Sequence, residues 1–165
     1  MNFSSNKLPA IIEAMLYIHY NDMRGDAVQP LGGKKLAEIM QLNPRYLEPL
    51  LQNLVKNMVL HSSKGARGGY SLLIAAGELT VAQICSDAVG CEDKLREEKL
   101  EFEQSLIRQN IIIPVFQQAE NAYNASLADL SLQDLYQQII VKKLDNLLKQ
   151  KLSDGLNNSD FNYAI

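Results

Sequence analysis

The clearest chemical pattern in this sequence is a cationic, glycine-rich segment that reads KGARGGY over residues 64–70. Lys64 and Arg67 carry the same charge, so they cannot neutralise each other and need an anion from another molecule. Strand-forming residues flank the segment on both sides, which is typical of a β-hairpin. Gly65 and Gly68 let the tip adopt unusual backbone angles and approach a surface closely. The phosphate backbone of a DNA duplex fits this chemistry, and a solvated surface hairpin is the alternative.

Two short helices joined by a tight turn are predicted just before this hairpin, over residues 34–56. A helix-turn-helix followed by a basic hairpin is a winged helix-turn-helix, whose second helix enters the major groove of DNA. Asn43 is placed to cap that helix, and Pro44 suits its first position. Arg45 and Tyr46 follow, at the end of the helix that reaches base edges. We therefore predict base contacts for both, with a phosphate contact alone as the alternative for Arg45.

Polar side chains around the same elements complete the predicted DNA-binding surface. Lys34 and Lys35 stand at the start of the first helix, and Gln52 and Lys56 lie on the outer face of the second. Lysines at such positions bind duplex phosphates. The full candidate set is Lys34, Lys35, Arg45, Tyr46, Gln52, Lys56, Lys64, Gly65, Arg67 and Gly68.

Pro49 lies inside the predicted second helix. A proline there lacks the N–H that would bond to the carbonyl four residues earlier, at a cost of up to about 3 kcal/mol. The sequence therefore predicts either a first turn of 3₁₀ character or a kink. Both would change the direction in which Arg45 and Tyr46 point.

The charge of the chain is divided unevenly between its two halves. Residues 1–75 hold eight Lys and Arg against five Asp and Glu, a balance of +3. Residues 76–165 hold eight Lys and Arg against fourteen Asp and Glu, a balance of −6. The net charge of −3 argues weakly against nucleic acid, but the half with the helix-turn-helix is the basic one, as DNA binding requires.

Several short motifs together resemble one known family. They are KLAEI at residues 35–39, YLE at 46–48, the leucines Leu50, Leu51 and Leu54, and KGARGGY at 64–70. This set is similar to the Rrf2 family of bacterial transcription regulators, which includes an iron–sulfur cluster regulator and a cysteine-metabolism regulator. The resemblance implies a mainly α fold with a small β-hairpin wing. It also implies a homodimer built by a long C-terminal helix that crosses the two-fold axis.

The C-terminal part of the chain predicts two amphipathic helices. Apolar residues recur at three-and-four spacing from Ile112 to Leu130, and again from Leu132 to Leu152 after a capping box at Ser131. These stripes exceed what a small head can cover, so we expect them to form a dimer interface. The predicted organisation is a DNA-binding domain at 1–90, a connector and dimerisation helices at 91–152, and a flexible tail at 153–165.

The two cysteines suggest different roles. Cys85 falls on an apolar helical face, where a free cysteine packs as a small hydrophobe. Cys91 follows the predicted end of that helix and is the candidate redox-sensing thiol. Iron–sulfur members of the family carry three cysteines in the following loop, whereas here Cys91 stands alone. We therefore expect no metal, no iron–sulfur cluster and no other cofactor.

The sequence offers no constellation for catalysis, since it has two histidines on unrelated elements and no nucleotide-binding loop. It also lacks a membrane-spanning run or a signal pattern, which predicts a cytoplasmic protein. We predict a sequence-specific, double-stranded-DNA-binding transcription regulator that acts as a homodimer on a pseudo-palindromic operator. The alternative is a winged-helix module for protein interaction, or for sensing a small-molecule or redox effector, that has lost or modulates DNA binding.

Overall fold

A computed structural model describes residues 7–25, 29–65, 67–89 and 108–157 of the chain. Within these ranges the chain is mainly helical with one small antiparallel sheet, so the predicted fold class is confirmed. The elements are α1 (Lys7–Asp22), α2 (Gly33–Ile39), α3 (Pro44–Lys56), β1 (Leu60–Ser63), β2 (Gly69–Leu72), α4 (described over 81–89), a π-helical turn (Arg108–Ile112), α5 (Ile113–Ala128), α6 (Leu132–Val141) and α7 (Asp145–Asn157).

Helix α1 lies at the centre of the core. Its residues Ile11, Met15 and Ile18 recur at the spacing of one helical face, and all three are completely buried. The helix runs from Lys7 to Asp22. The apolar face of α3 packs on both α1 and α2, which fixes the helix-turn-helix on a rigid base.

The start of α3 follows the predicted capping pattern. The Asn43 side chain accepts a hydrogen bond from the Arg45 backbone N–H at 2.9 Å, and Pro44 occupies the first turn. The Asn43 carbonyl accepts from the Tyr46 N–H at 2.9 Å, an i→i−3 bond of 3₁₀ type. Helix α3 is α-helical from Pro44 to Lys56 with Pro49 inside it, and the two alternatives predicted for Pro49 stay predictions.

Three helices end at residues that give no sequence signal for a helix end. Gln41, Met58 and Lys143 have φ values of 55°, 60° and 57°, the left-handed conformation that usually selects glycine. Each is the residue after the cap in a Schellman motif. After α6, for example, the Leu144 N–H bonds to the Ile139 carbonyl at 2.9 Å. The predicted continuous helix from Leu132 to Leu152 is therefore wrong, because this motif divides it into α6 and α7.

The C-terminal helices pack partly against the head of the same chain. Leu132 and Tyr136 of α6 and Leu148 and Leu152 of α7 are buried in the same core as α1 and α2. The expectation that these stripes lack cover within the chain is therefore wrong for these four residues. The predicted capping box of α6 is confirmed, since the Ser131 Oγ accepts from the Asp134 N–H at 3.1 Å and the Asp134 carboxylate accepts from the Ser131 N–H at 2.9 Å.

Other apolar side chains of the C-terminal half remain exposed. They form two groups, one at the start of α5 and one at the junction of α6 and α7. The first group is Ile111, Ile112 and Val115, and the second is Ile140, Val141, Leu144 and Leu147. None of the described helices is long and apolar enough to cross a lipid bilayer.

Some predictions concern residues outside the described ranges. They are the end of α4 at Gly90, most of the charged connector from Glu92 to Gln109, and the last part of the tail. Helix α7 continues to Asn157, into the segment predicted as a flexible tail.

Candidate nucleic-acid interface

The predicted hairpin is present and is anchored to the segment before α2. Strands β1 and β2 pair with Leu60 opposite Leu72 and Ser63 opposite Gly69. The Tyr70 N–H donates to the Leu31 carbonyl at 2.9 Å, which adds a bridge on the far side of β2. The hairpin is therefore bonded on both sides at its base and extends outward at its tip.

Two positions at the tip of the hairpin require glycine, for different physical reasons. Gly65 has φ of 102°, a conformation that L side chains rarely adopt. The Gly68 N–H donates to the Gly65 carbonyl at 3.0 Å and closes the turn. A Cβ on Gly68 would collide with the Ser63 carbonyl, so this position tolerates no side chain. Lys64 is exposed at this turn, as expected for a cationic tip.

A side-chain hydrogen bond joins the hairpin to α3. The Gln52 Nε2 atom donates to the Tyr70 hydroxyl at 3.1 Å. The Tyr70 ring lies against the start of α2, since its Cε2 atom would be 3.4 Å from a Cβ on Gly33. Burial raises the pKa of the Tyr70 phenol, so this hydroxyl stays neutral and accepts the bond. The outer face of α3 and the hairpin thus belong to one continuous surface.

The predicted DNA-binding residues are mostly accessible on this surface. Arg45 is exposed at the first turn of α3, and Tyr46 beside it is half-buried. Gly68 is also half-buried, at the base of the tip. The exposed members of the set are Lys34, Arg45, Gln52, Lys56, Lys64, Gly65 and Arg67. This arrangement places cations around a helix end and a protruding hairpin, which suits a polyanionic duplex.

Comparison with known proteins agrees with this geometry. The family model of Rrf2, described as an iron-dependent transcriptional regulator, matches residues 4–138. The chain belongs to the Rrf2 family. A Synechocystis protein named as an HTH-type transcriptional regulator is 29% identical over 113 residues, which are 65% of this chain and 71% of that protein. The Rrf2 chain is accordingly a DNA-binding transcriptional regulator and not an enzyme.

Solved structures share the fold of this Rrf2 protein. IscR of T. potens has a TM-score of 0.56 and 24% identity, covering 81% of this chain and 85% of that one. CymR of B. subtilis, the global cysteine regulator, has a TM-score of 0.57 and 20% identity, covering 84% and 98%. A transcriptional regulator from Lactobacillus plantarum has a TM-score of 0.58 and 22% identity, covering 89% and 99%. At these identities the likeness concerns the fold alone.

Iron does not fit the described residues of this Rrf2 chain. The Cys85 thiol is completely buried beside Leu8 and Val81, as predicted for a small hydrophobe, and burial raises its pKa to about 11. Iron binds the thiolate, which this environment disfavours. No three His, Cys, Asp or Glu side chains within the described ranges lie close enough together to hold a metal ion. The expected absence of an iron–sulfur cluster and the redox role of Cys91 stay predictions, because Cys91 lies outside those ranges.

Two polar contacts that the sequence does not indicate position the interface. The Asp22 carboxylate, at the end of α1, accepts from the Leu72 N–H at 2.9 Å and so holds the base of the hairpin. The Asn53 side chain, which the helical pattern places on the outer face of α3, instead donates to the Ala88 carbonyl of α4 at 2.9 Å. Both contacts join residues far apart in the chain, so no local pattern indicates them.

Lys35 differs from the other candidate residues, because its Nζ atom is buried and has no hydrogen-bond partner. Gly33 marks the side of α2 that faces α3, since a Cβ there would lie 3.4 Å from Glu48 Oε2 and 3.7 Å from Leu51 Cδ1. Lys35 follows two residues later, about 200° round the helix. It therefore lies on the flank away from α3. Helix α7 also packs against α2, and we infer that it covers this flank.

Lys35→Met is expected to raise the free energy of unfolding by about 1 kcal/mol, because an apolar side chain of similar length removes a buried Nζ atom that has no hydrogen-bond partner. We expect the salt dependence of DNA binding to stay unchanged. Urea unfolding and binding titrations over a salt series measure the two quantities. Lys34→Met is the matched control, since Lys34 is the exposed neighbour and its loss should lower the salt slope by about one. An equal loss of slope in both variants would mean that Lys35 also binds phosphate.

Proposed function

We propose that this regulator binds a pseudo-palindromic DNA operator as a homodimer. Each subunit would insert α3 into a major groove and rest the hairpin, as a wing, on the flanking minor groove or backbone. The observation that supports this arrangement is the bond of 3.1 Å between Gln52 of α3 and Tyr70 of the wing. Because of it, the recognition helix and the wing can approach the same duplex together.

The proposed contacts divide into base contacts and phosphate contacts. Arg45 is exposed at the N-terminal turn of α3, which is the end that approaches base edges in this motif. A bidentate bond from an arginine to guanine contributes about 1–3 kcal/mol of discrimination, and Tyr46 can contact an adjacent base. The proposed phosphate contacts are Lys34, Lys56, Lys64 and Arg67, with Lys35 left out because its Nζ atom is buried.

The proposed homodimer is supported by the exposed apolar group at the start of α5. Ile111 and Val115 are 60% and 61% exposed, and they lie four residues apart on one helical face. Apolar faces of this kind are commonly covered by self-association. A two-fold dimer would place two copies of α3 in successive major grooves, about 10 bp or a multiple apart.

The test of DNA binding is a gel-shift titration of Lys64→Ala/Arg67→Ala over a salt series. We expect the double variant to bind all duplexes about 10- to 100-fold more weakly, and the slope of log K against log salt to fall by about two for each subunit. Lys142→Ala/Lys151→Ala is the matched control, because it removes two exposed cations, one just after α6 and one on α7, that are outside the predicted DNA-binding set. Equal binding by the two double variants would argue against any role of the wing.

A further inference from the structure

The Gln52 side chain has a structural partner that its exposed position on α3 does not reveal. We propose that Gln52 is a positioning residue, which fixes the recognition helix relative to the wing through Tyr70 instead of reading a base. This role rests on the proposed function, because it concerns how α3 and the wing engage one operator. On this proposal, the specificity of DNA binding depends on the angle between α3 and the wing as well as on base contacts.

Tyr70 provides a fixed end for this connection. Its backbone N–H bonds to the Leu31 carbonyl at 2.9 Å, and its residue pairs with Ser62 across the hairpin. Its ring packs against Gly33 at the start of α2, and only 6% of the residue is exposed. The hydroxyl group is thus held in place by the wing, by the preceding loop and by α2. A donor that reaches this hydroxyl is fixed with respect to all three.

Gln52 provides the other end, and its geometry is poorly suited to reading a base. Glutamine recognises adenine by using its carbonyl oxygen and its amide nitrogen together. Here the nitrogen Nε2 is bonded to Tyr70 at 3.1 Å, so the amide is turned toward the wing. Freeing the amide for a base would break the bond and leave the Tyr70 hydroxyl without this partner.

Asn53, the residue next to Gln52, supports the same positioning role on α3. Leu47, Leu51 and Leu54 hold the helix to the core through apolar contacts, which have no strong directional preference. Two adjacent polar side chains supply direction: Gln52 bonds to the wing, and Asn53 bonds to the Ala88 carbonyl of α4. Together they brace the recognition helix on two sides, so that its roll and its distance from the wing are both defined.

Loss of the bond between Gln52 and Tyr70 should weaken specific DNA binding more than non-specific DNA binding. Specific binding needs α3 in the groove and the wing on the flank at the same time, whereas non-specific binding depends on the sum of phosphate contacts. Loss of the bond would leave every cation in place but would loosen the angle between the two elements. We therefore expect weaker operator binding, by about 2- to 10-fold for one hydrogen bond, and unchanged binding to random DNA.

A double-mutant cycle tests this role with the full chain and an operator selected from random duplexes. The proteins are the wild type, Gln52→Ala, Tyr70→Phe and the double variant. Each single variant should lose operator affinity by the same factor, and the double variant should be no weaker than either. Affinity for a random duplex and its salt slope should not change. Gln137→Ala is the matched control, since Gln137 is an exposed glutamine on α6.

Other outcomes overturn the proposal. A large loss for Gln52→Ala with none for Tyr70→Phe would assign a direct base contact to Gln52. Additive losses would mean that the two side chains act independently, and an equal loss on random DNA would indicate a general effect on the fold. A wild-type protein that binds no duplex would overturn the proposed function and this role together, which separates that failure from failure of the cycle alone.

Discussion

Gly69→Ala is expected to lower the free energy of unfolding by about 2–3 kcal/mol and to abolish operator binding. A Cβ on Gly69 would lie 2.5 Å from the Leu31 carbonyl carbon and 2.6 Å from the carbonyl carbon and oxygen of Pro30. These neighbours are backbone atoms, so they cannot rotate away as a flexible side chain could. The strand and the loop must separate instead, which breaks the bond of 2.9 Å between the Tyr70 N–H and the Leu31 carbonyl.

Gly77→Ala is the matched control for this substitution. No heavy atom lies within 4 Å of a Cβ at Gly77, and its φ is outside the left-handed region. Alanine there should change stability by less than about 1 kcal/mol, in the stabilising direction. Urea unfolding of both variants, followed by operator titration, measures the difference. Equal stability of the two variants would mean that the wing can move away from residues 30–31 without cost.

Features with a local chemical cause could be predicted from the sequence. The hairpin follows from alternating residues around glycines, and the caps at Asn43 and Ser131 follow from side chains that bond to nearby N–H groups. Thr80 is a further example, because its hydroxyl accepts from the Gln83 N–H at 3.1 Å at the start of α4. In each case the two hydrogen-bonded residues lie within a few positions of each other, so a short sequence pattern includes both of them.

Features that depend on distant partners could not be predicted in this way. The break after α6 is a local exception, because its Schellman bond joins Leu144 to Ile139 but the turn residue Lys143 is not the glycine that would mark it. The burial of the Lys35 Nζ atom is likewise not indicated by the composition of α2. The same holds for Gln52, because the helical pattern shows that it faces outward but not that the wing lies there.

Substitution of Ile111 and Val115 by glutamate is expected to make the protein monomeric and to weaken operator binding at least about 100-fold. Both side chains are exposed near the start of α5, and burial of four like charges in a symmetric interface would be strongly unfavourable. A dimer binds two half-sites with the second held at high effective concentration, and a monomer loses this advantage. Sedimentation velocity measures the assembly state, and gel shifts on full and half operators measure the affinity.

The second exposed apolar group provides a control that distinguishes between two interfaces. Ile140→Glu/Val141→Glu places the same charges on α6, where Val141 is 80% exposed. If α5 forms the dimer, this variant stays dimeric and binds the full operator normally. Dissociation by the α6 pair, with a stable dimer in the α5 pair, would place the two-fold axis at α6 and α7 instead. The affinity for a half-site distinguishes loss of dimerisation from damage to the DNA-binding surface. The monomeric α5 variant should bind one half-site as tightly as a single wild-type subunit does.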